Sequence, residues 1–248
     1  MDHSSIISKE IQSLLSNGRI HGPFTEPLLP NFRCSPFGTA TCKRNPKCHV
    51  FNHYSWPKDF SVNEETPDEE GKIIYNSFTS AVAALCNSGK GSFLAKMDLK
   101  DAYRHILFHS SDWPLLGFHW EGKFYYPIVL MFSGKSAPYI FNVFAEALHW
   151  IIQQHIPAVI SHYLNEFFPI FGLSTSVQHA NKAIDCIEGL AKDLGLSFQP
   201  AKTIHPTTHL ESLGLELDSQ AMEACLPQDK LSYLCTELWT WPSRKHVL

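Results

Sequence analysis

Asp98 closes an apolar run, Phe93-Leu94-Ala95-Lys96-Met97-Asp98, and Tyr163-Leu164-Asn165-Glu166 lies between two further apolar runs, 156–160 and 167–171. The first pattern predicts a strand that ends on a carboxylate, the second the tip of a hairpin. A strand-end acid facing a tight turn with side-by-side acids can hold two divalent metals about 3.5–4 Å apart, bridging the attacking and leaving oxygens of phosphoryl transfer. Here the turn offers an amide and a longer acid. Asn165 can lend an oxygen lone pair but carries no charge. Glu166 keeps the charge on a side chain one methylene longer than aspartate, enough to displace an ion by about an ångström in a site that tolerates roughly half that. Asp98 suits a hard cation, which wants anionic oxygens held rigidly. Taken alone, it reads more readily as a cap for the helix that follows, and only the rest of the constellation favours the metal role.

The elements that must position these residues follow from periodicity. Ile7, Ile11, Leu14 and Leu15 recur at helical spacing and stop at Asn17-Gly18. Gly22-Pro23, Pro27, Pro30, Pro36-Phe37-Gly38 and Pro46 then break the chain into short extended pieces, and residues 61–72 predict an exposed acidic loop. A helix over 78–85 leads through Ser88-Gly89-Lys90-Gly91-Ser92 into the strand ending at Asp98. A hairpin is expected around 119–122, flanked by Trp120 and the run 124–129. Ala137, Ile140, Phe141, Phe144, Leu148, Ile151 and Ile152 make one helix face. Val177, Ala180, Ile184, Ile187, Leu190, Ala191 and Leu194 make another, stopped at Gly195. Strands surround Leu213-Gly214-Leu215, and a last helix starts after Pro227. Strands and helices intermingle without regular alternation, so an α+β fold is expected, an antiparallel sheet with helices packed on one face rather than a doubly wound parallel sheet.

Composition limits the alternatives. With 248 residues, 44% of them hydrophobic, the chain can bury a substantial core, and disorder throughout is excluded. No run of eighteen apolar residues occurs and Met1-Asp2-His3-Ser4 lacks a secretory pattern, so an intracellular protein without a membrane span is expected. Seven irregularly spaced cysteines point to reduced thiols. Cys42, Cys48, His49 and His53 do not match the spacing of common zinc ligand pairs and read as ordinary side chains. The fourteen histidines lack paired helical spacing, and most read as surface or hydrogen-bonded structural residues. A net charge of −4 argues against a strongly basic nucleic-acid binder, although residues 31–48 carry Arg33, Lys43, Arg44 and Lys47 with no acid. Gly134-Lys135-Ser136 is no phosphate loop, because the glycine required five residues earlier is Val129. No Gly-x-Ser-x-Gly elbow is present either.

Several blocks in order carry a family resemblance: Gly18-Arg19-Ile20-His21-Gly22-Pro23-Phe24, Lys96-Met97-Asp98-Leu99-Lys100-Asp101-Ala102-Tyr103-Arg104, Ser136-Ala137-Pro138-Tyr139-Ile140-Phe141-Asn142, Tyr163-Leu164-Asn165-Glu166, Pro200-Ala201-Lys202-Thr203 and Leu213-Gly214-Leu215-Glu216-Leu217-Asp218. Any one is weak; in this order they make the chain resemble a reverse transcriptase, nearest to the DIRS-like retroelements that pair the polymerase with a tyrosine recombinase. The resemblance runs from about Gly18 to about Leu231. It implies a right-hand polymerase fold, with an N-terminal helix and fingers over 1–92, palm over 93–172, palm continuation and a primer-grip-like hairpin over 173–226, and a partial thumb over 227–248. No RNase H or recombinase domain is expected after Pro227. It further implies Mg²⁺ or Mn²⁺ at Asp98, the Leu99 carbonyl and Glu166, with Asp98, Asn165 and Glu166 as the catalytic set. Tyr103 would lie under the incoming sugar, Lys43, Lys135 and Lys202 would contact the dNTP, and Leu213-Gly214 would grip the primer. RNA template and DNA primer are the implied partners.

The chain departs from that pattern at several of these points. The turn normally reads Tyr-x-Asp-Asp; the loss of a bridging carboxylate at Asn165 is expected to cost on the order of a thousandfold in rate. Leu130-Met131-Phe132-Ser133 replaces Leu-Pro-Phe-Gly, and His49 stands where an arginine would fork onto the triphosphate. Ser212 replaces a phenylalanine, and Pro169 falls in the second strand of the hairpin, where only an edge tolerates it well. A degenerate, catalytically impaired copy is therefore expected. The alternative is a non-catalytic nucleic-acid-binding or interaction module using the basic stretch and Trp113, Trp120, Phe124 and Tyr125, aromatics that are more often core than surface.

Overall fold

The computed structural model describes residues 3–41, 48–73 and 78–241. In chain order the elements are α1 (His3–Ser16), β1 (Ile20–Phe24), β2 (Phe37–Thr41), β3 (Cys48–Asn52), α2 (Val62–Glu65), α3 (Phe78–Ser88), β4 (Phe93–Asp98), β5 (Phe118–Trp120) and β6 (Lys123–Pro127). There follow α4 (Ala137–His155), β7 (Val159–Tyr163), β8 (Glu166–Phe171), α5 (Val177–Asp193), β9 (Ile204–Thr207), β10 (His209–Ser212), β11 (Leu215–Asp218), β12 (Glu223–Cys225) and α6 (Gln228–Thr240). Two compact units divide the chain, residues 1–74 with 101–144, and residues 75–100 with 145–248. Among the described residues every strand pair of both units is antiparallel, in keeping with the α+β expectation.

In the first unit, Ile7, Ile11 and Leu14 of α1 are buried against Ile20, Phe118 and Tyr125. The helix ends where Gly18 takes a left-handed φ of +62° and Arg19 N–H reaches back to the Leu14 carbonyl at 2.9 Å. Strand order in the main sheet is β1-β6-β5, and β2 pairs with β3 as a separate hairpin. The β5–β6 turn is Glu121-Gly122, both at positive φ, which matches the twist of the strands it joins. The acidic stretch after residue 60 is not a plain loop. Ser61 caps α2 and Glu64 bonds back to Ser61 N–H, and a 3-10 turn follows over Asp68–Gly71.

The second unit is built on a four-stranded sheet ordered β7-β8-β4-β9, beside a three-stranded sheet β10-β11-β12. Alternate residues of a strand face opposite sides. On one side Leu94, Phe168 and Ile170 pack with Ala81 and Leu85 of α3 and with Leu210 and Leu217 of the second sheet. His162 and Phe167 face the other side, where His162 meets His149 of α4. Helices therefore lie on both faces of this sheet, not on one. Apolar side chains alternate with one another along β8, so both sides of the strand must be covered; its burial runs unbroken from Phe167 to Phe171.

Pro169 stands inside this sheet, on β8 between β7 and β4, and not at an edge. The β4–β8 register pairs Phe93 and Leu94 with Phe171 and Ile170, then resumes with Met97 and Asp98 opposite Phe167 and Glu166. The gap falls beside Pro169, which has no N–H to give to a ladder. On the other side of β4 the register with β9 shifts between Leu94 and Lys96. Pairing is thus interrupted in mid-strand and re-formed at the end that carries Asp98.

Candidate active site

Asp98 and Glu166 are direct antiparallel partners at the ends of β4 and β8. Tyr163 pairs with Glu166, leaving Leu164-Asn165 as the two-residue turn of the β7–β8 hairpin. A tight turn of this kind needs a positive φ at its first central residue, and Leu164 supplies it at +51°. A non-glycine residue held there costs of order 1–3 kcal/mol. The turn is stitched to the end of β4, since Leu99 N–H donates to the Asn165 carbonyl at 2.8 Å. Gln199 N–H donates to the Asp98 carbonyl at 2.8 Å, fixing the same strand end from its other flank.

Asp98, Glu166, Lys96, Ala201, Lys202 and Ile204 line a cavity of about 360 Å³. Lys202 Nζ lies 3.1 Å from Asp98 Oδ1, and Lys96 Nζ lies 3.6 Å from Glu166 Oε2. Ser212 Oγ donates to Glu166 Oε1 at 2.6 Å. The two carboxylates and two ammonium groups leave the cavity without net charge. Sequence reasoning missed Lys96, although its position two residues before Asp98 places it on the same sheet face. Ser212, an apparent loss when compared with phenylalanine, gives the longer acid a hydrogen-bond partner.

Leu213 and Gly214 form the two-residue turn between β10 and β11, at φ +49° and +82°. Lys230 of α6 donates to the Gly214 carbonyl at 2.9 Å and pairs with Glu211. Glu211 in turn accepts from Lys96 through its own carbonyl at 2.8 Å. The hairpin and the cavity wall are thus linked within the second unit.

Tyr103 and Lys135 belong to the first unit. The Tyr103 ring packs against Phe141 at 4.9 Å and edge-on to Phe132 at 5.6 Å, along a cavity of about 300 Å³ that Asp101, Arg104 and Ser133 also line. Its turn is set by Asp101, which takes a φ of +56° and pairs with Arg19 at 2.6 Å. Lys135 Nζ is held by Asp68 Oδ1 at 2.6 Å and by the Thr66 carbonyl at 2.8 Å, so the acidic stretch already neutralises it. Lys43 lies outside the described residues, as does Cys42. His49 is exposed on β3. Of the aromatics considered for a binding surface, Tyr125 is buried against Phe118, Trp113 stacks on Tyr126, Trp120 donates to Ser8, and Phe124 packs on Phe32 and His119.

No family model and no curated protein matches the sequence. The fold, however, is similar to solved structures of foamy viral protease-reverse transcriptase. One in complex with double-stranded DNA superposes with a TM-score of 0.71 at 15% identity, covering 95% of this chain and 44% of that one. A second double-stranded DNA complex gives 0.70 at 17% identity, covering 92% and 36%. A complex with an RNA/DNA hybrid gives 0.69 at 16% identity, covering 94% and 28%. The chain therefore spans less than half the length of these structures, and it has a reverse transcriptase-like fold.

Proposed function

We propose that the chain is the reverse transcriptase-like domain of a DIRS-like retroelement, a degenerate copy in which template-directed DNA synthesis is impaired. In this reading the four-stranded sheet of the second unit is the palm, the Leu213-Gly214 turn the primer grip, and α6 the start of a thumb. Residues 1–92 would supply the N-terminal helix and fingers. One observation carries the proposal: the strand-end Asp98 stands opposite Glu166, with Asn165 in the turn between β7 and β8.

The ancestral chemistry is nucleotidyl transfer, to which Mg²⁺ or Mn²⁺ would contribute charge neutralisation of the reacting phosphate. The donor set here fits that role poorly. Asn165 brings no charge where a bridging carboxylate is needed, Glu166 is engaged by Ser212 and Lys96, and Asp98 by Lys202. Two carboxylates offset by two lysines do not supply the negative charge that a pair of divalent cations requires. What these residues can still do is bind. Lys202 is largely exposed, with 62% of its side-chain surface free, and can turn from Asp98 to a phosphate.

The fold neighbours solved in complex with double-stranded DNA and with an RNA/DNA hybrid support retained nucleic-acid binding as the surviving property. Primer extension by the purified chain, with an RNA template, DNA primer, dNTPs and either Mg²⁺ or Mn²⁺, tests the proposal. Little or no incorporation together with salt-sensitive hybrid binding is expected. Robust incorporation that vanishes in Asp98→Ala would remove the claim of impairment; absence of hybrid binding even at low salt would remove the claim of a binding domain.

A further inference from the structure

On the opposite face of the same hairpin, three side chains with metal-ligating atoms converge. Glu146 and His149 stand one turn apart on α4, and His162 projects from β7; one ligand atom from each lies within 4.8 Å of the others. Among the described residues this is the one such group. His149 Nδ1 and His162 Nδ1 are 3.0 Å apart, and His162 Nε2 is 3.7 Å from Glu146 Oε1. Residues three apart on a helix share a face. The histidine contributed by β7 sits thirteen positions further on, so no local spacing in the sequence announces it.

We infer that Glu146, His149 and His162 form a binding site for a divalent transition metal of the zinc type, clamping α4 to the β7–β8 hairpin. The donor chemistry, two imidazoles and one carboxylate, is that of a three-ligand zinc site whose fourth position takes water. Bond lengths of about 2.0–2.1 Å at tetrahedral angles put two ligand nitrogens roughly 3.3 Å apart, so a metal between the two Nδ1 atoms needs them to part by a few tenths of an ångström and needs Glu146, which faces the Nε2 edge of His162, to swing to the same side. Glu146 can reach in from solvent, since 54% of its side chain is exposed, while His162 is 1% exposed and cannot leave. The His162 ring is held flat against Phe167 at 5.4 Å and edge-on to His149 at 5.0 Å. A buried imidazole so fixed has its orientation already determined before a metal arrives. Burial also pushes both imidazoles below their ordinary pKa, favouring the neutral form that ligates.

The site is independent of Asp98 and Glu166. Glu166 and Asp98 face the α3 side of the sheet, whereas His162, paired with Phe167, faces α4. Metal binding at this cluster does not depend on whether the chain copies nucleic acid.

The test uses the full chain, freed of metal by chelator and titrated with Zn²⁺ in a calorimeter and with Co²⁺ in a spectrophotometer. Saturable uptake of one equivalent is expected, with the intense visible absorption of four-coordinate cobalt. Glu146→Gln leaves the fold untouched because the residue is exposed, and is expected to weaken binding at least about tenfold, the loss that even an outer partner's removal brings. His149→Gln, its fold checked by circular dichroism, is expected to abolish the cobalt band. Zn²⁺ is expected to raise the melting temperature of the native chain but not of His149→Gln. Asp98→Ala and Cys48→Ser are expected to bind as the native chain does. No saturable uptake at micromolar zinc would overturn the proposal and leave the two imidazoles as a plain hydrogen-bonded pair. Uptake unchanged in Glu146→Gln would overturn it equally, since the metal would then lie elsewhere.

Discussion

Ser212 donates a 2.6 Å hydrogen bond to Glu166, joining the β10–β11 hairpin to the acid of the β7–β8 turn. Ser212 is buried and Glu166 is mostly so, which makes this a charge-assisted bond in a partly dry setting. Ser212 and Glu166 are therefore one arrangement. The longer acid needs a partner and the short hydroxyl provides it.

Ser212→Ala is expected to destabilise the chain by about 1–3 kcal/mol, because the Glu166 oxygen loses its donor in a site water reaches poorly. Urea unfolding of Ser212→Ala, Glu166→Gln and the double variant measures it. The two changes should be less than additive, with a coupling of at least about 0.5 kcal/mol. Strict additivity would mean that the bond contributes nothing.

Leu164 holds a left-handed conformation that β-branched residues adopt poorly. Leu164→Val is expected to lower stability by about 1 kcal/mol or more, whereas Leu164→Gly, free of the Cβ clash, is expected to lower it less or raise it. Denaturant midpoints of the two variants decide the order. Valine as stable as glycine would contradict the strained turn.

The His149–His162 pair makes a pH dependence in metal-free protein. Both folded pKa values lie below the ordinary 6.5 through burial, opposed by Glu146, the carboxylate that faces them. Between the lowered values and 6.5 the unfolded chain binds more protons than the folded one, so stability rises with pH across that window. Full stability is expected above about pH 6.5, with loss as the pH falls below it. Unfolding midpoints from pH 8 to pH 5 in chelator should show that slope, flattened in His162→Gln. An unchanged slope in the variant would assign the dependence to other groups.

Lys202 is exposed beside Asp98, so its pairing contributes no more than about 1 kcal/mol to stability. Its expected role is toward phosphate. Lys202→Ala should leave the melting temperature nearly unchanged while reducing the salt dependence of hybrid binding by about one counterion. A binding slope identical to that of the native chain would take Lys202 out of the interface.

Much of the fold was legible where periodicity spoke alone. Ile7, Ile11 and Leu14 spelled α1, and the series from Val177 to Leu194 spelled α5 to within a residue of its end. The apolar run ending at Asp98 and the two runs around Tyr163 to Glu166 gave three strands of one sheet. Their mutual pairing has no local signal, since register between β4 and β8 depends on contacts some seventy residues apart. Pro169 argued for an edge and lies inside, because pairing resumes beyond it and both faces of β8 are covered. The Ser61–Glu64 capping box was a visible signal that an acidic, proline-bearing context masked. Lys96 and Ser212 were invisible as partners of Glu166 because three different strands bring them together. The His149–His162 meeting was hidden for the same reason: one histidine rides a helix and the other a strand.

If the Asn165-Glu166 turn limits DNA synthesis, restoring both aspartates should raise it. Primer extension by the native chain beside Asn165→Asp/Glu166→Asp tests it most directly. The restored turn is expected to exceed the native one by on the order of a thousandfold, with the gain abolished by adding Asp98→Ala. Equal, rapid extension by both chains would show that the turn does not limit synthesis, and continued silence of both would put the damage beyond the turn.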